Sequence, residues 1–116
     1  MGYYTTYILN VEMDTVDPVQ GESLQENIRR TSDYYHLFRD YKLGYSFETE
    51  PIKWYGHDSD MLKLSSMYPS VEFILEGHGE ERADIWRKYY KNGKVKRVEP
   101  EVVWPNREEL EKMEWT

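Results

Sequence analysis

Cysteine is absent from this chain of 116 residues, which excludes disulfide bonds, thiolate zinc sites and thiol catalysis. Long apolar runs are also missing, since no stretch approaches the ~18 to 20 residues that cross a bilayer. The N-terminus opens with alternating polar and aromatic residues instead of a signal segment. We therefore expect a cytoplasmic protein that is held together by packing alone and has no membrane partner.

Apolar residues are scarce at 39% of the chain, but aromatic residues reach 16%, with eleven Tyr and four Trp. The length suits one domain spanning residues 1–116. Because the rings supply much of the area that can be buried, the sequence predicts an aromatic core edged with hydroxyl groups.

Positive charge is in the minority, since 22 Asp and Glu face 15 Lys and Arg and give a formal net charge of -7. An acidic chain is repelled by a DNA duplex at long range, so a general DNA-coating role is not expected. One segment inverts this balance, because Arg87 to Arg97 contains six cations and no anion. This basic segment is the strongest functional signal in the sequence.

The pair Asn92-Gly93 lies in the middle of the basic segment and favours the positive φ angles of a type I′ turn. It predicts a hairpin with strands over 84–90 and 94–104. The predicted facing pairs are Trp86 and Glu99, Lys88 and Arg97, and Tyr90 and Val95 on one side, with Arg87 and Val98, and Tyr89 and Lys96, on the other.

Lys88 directly opposite Arg97 is a repulsive pair, so the sequence predicts a negative group nearby. That group is either a carboxylate of the chain, such as Glu99, or a phosphate or carboxylate of a partner. A third alternative is that the Lys88 and Arg97 side chains both extend into water. With a partner bound, Trp86 and Tyr90 would offer stacking faces. The candidate partner-binding residues are Trp86, Arg87, Lys88, Tyr89, Tyr90, Lys94, Lys96 and Arg97.

Residues 3–11 alternate between two faces and are rich in aromatic and β-branched side chains, which predicts a strand. The strand carries no charge, so we expect it to be central in a sheet or to form part of a homodimer. Ser23 and Glu26 have the spacing of a capping box and predict the start of a helix, whose apolar stripe includes Leu24, Ile28 and Tyr35.

Residues 45–55 look extended, and Pro51 allows either a bent strand or two short strands. Asp58 or Ser59 is expected to cap a second helix that Pro69 ends. Residues 71–76 alternate as a strand does, and a turn is predicted at 77–79, which reads Gly-His-Gly.

Asn106 and Glu109 repeat the capping spacing and predict a short C-terminal helix, against which Trp104 is expected to pack. The predicted order is strand, helix, strand, helix and a β-meander closed by a helix. It indicates the α+β class, with an antiparallel-rich sheet and helices on one face.

Four polar residues gather around the predicted Gly-His-Gly turn: His78, Glu80, Glu81 and Asp84. They could bind a hard cation, but neither EF-hand spacing nor a His-x-x-x-His pair is present, and a solvated turn explains them as well. The sequence has no Gly-x-Ser-x-Gly elbow and no glycine-rich phosphate loop. We therefore expect no catalytic residues, no bound metal and no cofactor.

The second half of the chain resembles a group of small proteins of phages and mobile elements and, more weakly, the YubB ferredoxin-like domain. The motifs that carry the resemblance are Trp54-Tyr55, Asp60-Met61, Leu64-Ser65, Tyr68-Pro69-x-Val71, Phe73, Gly77-x-Gly79-Glu80-Glu81, Asp84-Ile85-Trp86 and Asn92-Gly93-Lys94. The resemblance covers about residues 54–94 and implies a ferredoxin-like sandwich and a mobile-element origin.

Together these features indicate a non-catalytic binding protein of phage or mobile-element type that inhibits a host macromolecule, in particular a host defence protein, by occupying its site. Its acidic surface is expected to meet a basic site, and the aromatic residues of the hairpin are expected to give specificity. A first alternative is a sponge that binds a nucleotide or another small anion at the hairpin. A second alternative is a single-stranded nucleic-acid binder.

Overall fold

The computed structural model describes residues 2–32 and 36–116. The strands are β1 (Thr5–Val11), β2 (Phe47–Glu48), β3 (Phe73–Gly79), β4 (Ile85–Lys91) and β5 (Lys94–Val98), and the α-helices are α1 (Gly21–Arg29), α2 (His57–Met67) and α3 (Arg107–Glu111). Two short 3-10 turns, at Met13–Thr15 and Pro18–Gln20, connect β1 to α1.

The strands form one open sheet in the order β2-β1-β3-β4-β5, and all neighbouring strands are antiparallel. This arrangement confirms the predicted α+β class with an antiparallel sheet. The uncharged strand β1 lies inside the sheet between β2 and β3. Because both edges of β1 are paired, the strand does not need the charged side chains that keep an exposed edge strand from pairing with another chain.

One face of the sheet carries the core. Tyr7 and Leu9 of β1 are buried beside Leu75 of β3, and the apolar sides of α1 and α2 cover them with Leu24, Ile28, Met61 and Leu64. Of the fifteen apolar residues buried in the described parts of the chain, eight are aromatic. The prediction of an aromatic core is therefore confirmed.

The capping box predicted for the first helix is wrong. α1 begins at Gly21, two residues before Ser23, and no side chain of the described residues caps that end. Ser23 instead shares a hydrogen bond of 2.7 Å with the hydroxyl of Tyr68. The 3-10 turn at Pro18–Gln20 already leads the chain into the helix, so a cap at Ser23 is not needed.

Leu24 and Ile28 are buried as the helical stripe predicted, but α1 ends at Arg29. Tyr35, the last residue of the predicted stripe, lies outside the described residues.

The second helix exists, but neither predicted cap is used. α2 begins at His57, with Gly56 in the N-cap position. The carboxylate of Asp58 instead accepts hydrogen bonds from Lys88 and Tyr90 of β4. Local spacing predicted Asp58 as a helix cap, but its side chain makes tertiary contacts. Pro69 follows the C-cap residue of α2, as expected.

The segment over 45–55 forms two short extended pieces and not one bent strand. β2 pairs with β1, and Ile52 forms an isolated antiparallel bridge with Thr5. Pro51 lies between the two pieces, where its missing N–H group does not interrupt a ladder.

The turn predicted at 77–79 is wrong, because β3 continues to Gly79 and pairs with β1 throughout. Gly77 lies inside β3, and a Cβ at this position would collide with the ring of Trp86 on β4. Glycine here marks a close approach between an aromatic ring and the backbone. The chain turns at 80–84, where the Asp84 amide donates to the Glu81 carbonyl at 3.0 Å.

The hairpin of β4 and β5 is confirmed. Asn92 has φ 51° and Gly93 has φ 70°, as a type I′ turn requires. Residues 87–91 pair with 94–98 in the predicted register. The predicted second strand, 94–104, is too long because β5 ends at Val98, and Pro100 soon follows with no N–H group to donate.

Residues 99–116, which we call the C-terminal arm, are all exposed. Asn106 caps α3 by accepting from the Glu109 amide at 2.8 Å, which confirms the predicted cap. Trp104, however, is 82% exposed, so the prediction that it packs the last helix down is wrong. None of the helices in the described residues combines the length and the apolar character that a membrane span needs.

Candidate functional site

The β4–β5 hairpin presents two chemically different faces. Strand alternation places Trp86, Lys88 and Tyr90 on the core side, together with Val95 and Arg97 of β5. The opposite side, which we call the outer face, carries Arg87, Tyr89, Lys91, Lys94 and Lys96. The eight predicted site residues are therefore divided between the two sides of one sheet.

Trp86 and Tyr90 are 6% and 0% exposed, and Lys88 is 8% exposed. The prediction that these three residues contact a partner, with the two rings as stacking faces, is therefore wrong. α2 lies over this part of β4 and covers it, so the rings contribute to the core instead.

The negative group predicted near Lys88 is Asp58 of α2. The Lys88 ammonium lies 2.9 and 3.1 Å from the two carboxylate oxygens of Asp58, and the Tyr90 hydroxyl donates to Asp58 at 2.6 Å. Arg97, on the opposing strand, pairs with Glu99 at 3.4 Å and lies 5.7 Å from the ring centre of Trp86. The alternative in which the chain's own acids neutralise these cations is the correct one.

His57 completes this cluster, in which Lys88 and Tyr90 are buried and Asp58 is half-exposed. Its Nδ1 lies 3.0 Å from the Trp54 carbonyl, and its Nε2 lies 2.9 Å from the Lys88 ammonium. Because a carbonyl accepts and an ammonium donates, we assign the ring proton to Nδ1 and leave Nε2 as the acceptor. The neutral ring stacks on Trp86, with the ring centres 5.2 Å apart.

Burial is the main cause that lowers the pKa of His57 from its ordinary value, and the Lys88 charge lowers this pKa further. Burial opposes ionisation of Asp58, but the hydrogen bonds from Tyr90 and Lys88 outweigh it and lower the pKa of this carboxyl group. Burial and the hydrogen bond to Asp58 raise the pKa of Tyr90. The favoured state is a neutral histidine, a charged Asp58–Lys88 pair and a neutral tyrosine.

This cluster, which we call the inner cluster, has its polar atoms paired within the chain and joins α2 to β4. Spacing along the chain predicted Asp58 as a helix cap, and it did not connect Asp58 or His57 to the hairpin. The only sequence signal for this contact was indirect: Lys88 and Arg97 face each other, and their repulsion required a nearby anion. Spacing along the chain could not say which anion.

The outer face differs because much of its charge is unpaired. Arg87 is neutralised by Glu76 at 2.6 Å. Hydrogen bonds from His78 and from Arg87 lower the pKa of the Glu76 carboxyl group. For Lys91, Lys94 and Lys96, in contrast, no carboxylate of residues 2–32 or 36–116 lies within ion-pair distance. These three lysines are exposed, and the half-buried Tyr89 lies among them.

Two shallow grooves meet at Tyr89. One has a volume of about 360 Å³ and is lined by Lys91, Lys94 and Lys96, with Glu72 and Pro69 on the far side. The other has a volume of about 330 Å³ and is lined by Arg87, Val98 and Pro100 together with two carboxylates, Glu76 and Glu99. A planar or elongated anionic group could therefore lie in the first groove, beside the three lysines. Binding by Arg87, Tyr89, Lys94, Lys96 and Arg97 stays a prediction.

The polar turn around residues 80–84 is occupied by contacts within the chain. Asp84 accepts from the Tyr3 hydroxyl at 2.7 Å, and Glu80 accepts from the Tyr4 amide at 2.9 Å. His78 bonds to Glu76 at 2.7 Å. In the described chain, no group of three or more histidines and carboxylates has an arrangement that could hold a metal ion.

Fold and surface together define a small α+β domain with an open antiparallel sheet and a basic, tyrosine-centred outer face on an acidic body. No protein-family model, curated protein or solved structure matches the chain.

Proposed function

We propose that this protein is a non-catalytic binding protein of phage or mobile-element type. It acts in the host cytoplasm by occupying a site on a host protein, in particular one used in defence. The outer face of the hairpin is the contact surface: Tyr89 packs against the partner, and Lys91, Lys94 and Lys96 pair with its carboxylates.

One observation carries this proposal. Three lysines without an ion-pair partner in the described residues converge around one tyrosine, on a protein with a net charge of -7. These neighbouring cations repel one another, and an oppositely charged partner is attracted to them and relieves that repulsion. Tyrosine is also among the residues that dominate binding energy at interfaces.

The mobile-element origin and the ferredoxin-like layout are part of the same proposal. Both are supported by the resemblance over about residues 54–94. The C-terminal β-meander of such a fold is supported by β3, β4 and β5, which are consecutive in sequence and adjacent in the sheet.

A triple charge reversal tests the contact surface. Lys91, Lys94 and Lys96 are changed to Glu in one variant, and Arg39, Lys42 and Lys63, exposed cations away from the hairpin, are changed to Glu in a control of equal net charge. The immobilised wild type and the control should retain the same stoichiometric protein from host lysate, and the outer-face variant should lose it. Absence of a stoichiometric protein with the wild type, or its retention by the outer-face variant, would contradict the proposal.

The second candidate function is a sponge for a nucleotide. It is favoured by the groove that contains Tyr89, Lys91, Lys94 and Lys96, which places a ring and three cations within one small area. Calorimetric titration with mono-, di- and cyclic nucleotides should give a binding heat with the wild type and none with Tyr89→Ala. Flat titrations with the wild type would remove this candidate.

Single-stranded nucleic acid is the remaining alternative for the same surface. Because each neutralised phosphate releases counterions, its affinity would fall steeply with salt. Binding of an oligonucleotide that survives high salt, or no binding at low salt, would argue against it.

A further inference from the structure

The C-terminal arm exposes large apolar side chains that a free globular domain would bury. Val102 and Val103 are each 80% exposed, Trp104 is 82% exposed, and Trp115 is fully exposed. The radius of gyration is 17.1 Å, against about 13 Å for a compact domain of this length. The arm therefore projects from the globule with its apolar side chains in water.

The arm is also the part of the molecule that best complements the outer face. It carries six glutamates and two cations, Arg107 and Lys112, for a net charge of -4. The outer face carries the three lysines without an ion pair and two grooves that meet at Tyr89. The acidic residues around the two indole rings complement the charge of this basic surface.

The arm begins at this surface but leaves it. Glu99 and Pro100, its first residues, line the groove that also contains Val98. From there the arm of the same chain extends into solvent, where every residue is exposed. The acidic segment and the basic surface are thus neighbours in one molecule without covering each other.

We propose that two copies of this chain form a dimer by exchanging their C-terminal arms, so that the arm of each copy lies on the outer face of the other. Trp104 enters a groove beside Tyr89 of the second copy, and the glutamates of the arm pair with its Lys91, Lys94 and Lys96. Since arm and acceptor belong to the same chain, a two-fold axis satisfies both contacts at once and closes the assembly.

This dimer covers the surface to which the proposed function assigns the host partner. The inference rests on the same outer face, and it adds that a second copy competes with the partner for it. A partner of higher affinity would displace the arms and separate the dimer.

Light scattering coupled to size-exclusion chromatography tests the exchange in the full-length chain. The arm variant combines Trp104→Ser with Trp115→Ser, and its control combines Val19→Ser with Tyr45→Ser, two exposed side chains away from the arm. The wild type and this control should be dimers at high concentration, and the arm variant should dissociate at least about tenfold more easily. A monomeric wild type at every soluble concentration, or an arm variant as dimeric as its control, would overturn the proposal.

The outer-face variant, with Lys91, Lys94 and Lys96 changed to Glu, should also be monomeric. Mixing it with the arm variant should restore a dimer, weaker than that of the wild type, because one intact arm then meets one intact outer face. A mixture that stays monomeric although both variants are folded by circular dichroism would overturn the exchange.

The arm variant also separates this inference from the proposed function. Its outer face is intact, so it should capture the host protein at least as well as the wild type does. Failure of capture by the wild type and by the arm variant contradicts the proposed function alone, whereas a monomeric wild type contradicts the dimer alone.

Discussion

Lys88 shows how one contact decides the role of a residue. In the sequence it is one of six cations in a basic segment, but in the structure its ammonium is held by Asp58 and His57 beneath α2. The neighbouring lysines at 91, 94 and 96 are exposed. Residues that appear equivalent in a charge pattern therefore have different environments: Lys88 is buried and paired, whereas the other three lysines are exposed.

Removal of Asp58 is predicted to cost more stability than removal of Lys88. Asp58→Ala leaves a buried ammonium without its counter-ion, and we expect a loss of about 2 to 3 kcal/mol. Lys88→Met fills the same space without a charge and leaves Asp58 half-exposed and bonded to Tyr90, so we expect a loss of about 1 kcal/mol. Urea unfolding of both variants measures the difference, and a larger loss for Lys88→Met would contradict this ion-pair account.

The stability of the protein should fall as the pH falls below about 6.5, the ordinary pKa of histidine. Burial lowers the pKa of His57 in the folded protein, so between the two pKa values the unfolded chain binds more protons than the folded one. Stability from His57 is therefore complete above about pH 6.5 and is lost as the pH falls through the lowered pKa.

Urea unfolding between about pH 8 and pH 5 measures this dependence. The variant His57→Gln, which cannot titrate there, should show a flatter profile than the wild type. Asp58 and Glu76 also have lowered pKa values, but their contributions are lost only at more acidic pH. Equal slopes for the two proteins would mean that His57 is not the responsible group.

Substitution of Tyr41 is predicted to increase the stability of the protein. Its ring is fully buried, its hydroxyl finds no hydrogen-bond partner among the described residues, and burial raises its pKa to about 12. Tyr41→Phe removes an unsatisfied polar group and should raise the free energy of unfolding by about 1 kcal/mol. Thermal unfolding checks this, with Tyr7→Phe, whose hydroxyl donates to the Trp54 carbonyl, as a control that should lose stability.

At the scale of elements, the best predictions came from patterns that need only neighbouring residues. Alternation located β1 and β3, and Asn92-Gly93 gave the hairpin turn and its register. Helix starts were less predictable, because Ser23 and Asp58 bond to partners distant in sequence. Local spacing cannot show that a distant partner has taken over a capping side chain.

Gly77 illustrates the same limit. Glycine usually marks a turn, but here it provides room for the Trp86 ring on the next strand. For the candidate site, the sequence located the hairpin and all its cations, yet it could not show which face α2 covers. Arg87, Tyr89, Lys94 and Lys96 remained on the surface, and Trp86, Lys88 and Tyr90 did not.

The hairpin turn gives a prediction at the element scale. Gly93 has a positive φ angle, and a Cβ there would lie 2.7 Å from the Ser66 hydroxyl oxygen of α2. Gly93→Ala should therefore lower the free energy of unfolding by about 1 to 2 kcal/mol. The control Asn92→Gly, which relaxes the other positive φ angle, should be nearly neutral in chemical denaturation. A Gly93→Ala protein as stable as the wild type would contradict the tight packing of the turn on α2.

In the molecule as a whole, the two faces of the hairpin have different surroundings: α2 covers the inner face, and the outer face is open to solvent. The inner cluster attaches α2 to the sheet, and the outer face presents unpaired cations on an acidic protein. The exposed arm adds a segment of opposite charge to the same molecule. These features support the proposed binding to an acidic surface, and the proposal predicts that salt weakens both the proposed dimer and the proposed host complex.

The assignment of the contact surface to the outer face is tested most directly by an NMR titration of the labelled protein with a short polyglutamate peptide at low salt. Binding at the outer face should shift the signals of Tyr89, Lys91, Lys94 and Lys96 and leave those of the buried Lys88 and Trp86 side chains unchanged. Shifts confined to another part of the surface, or none at all, would contradict it.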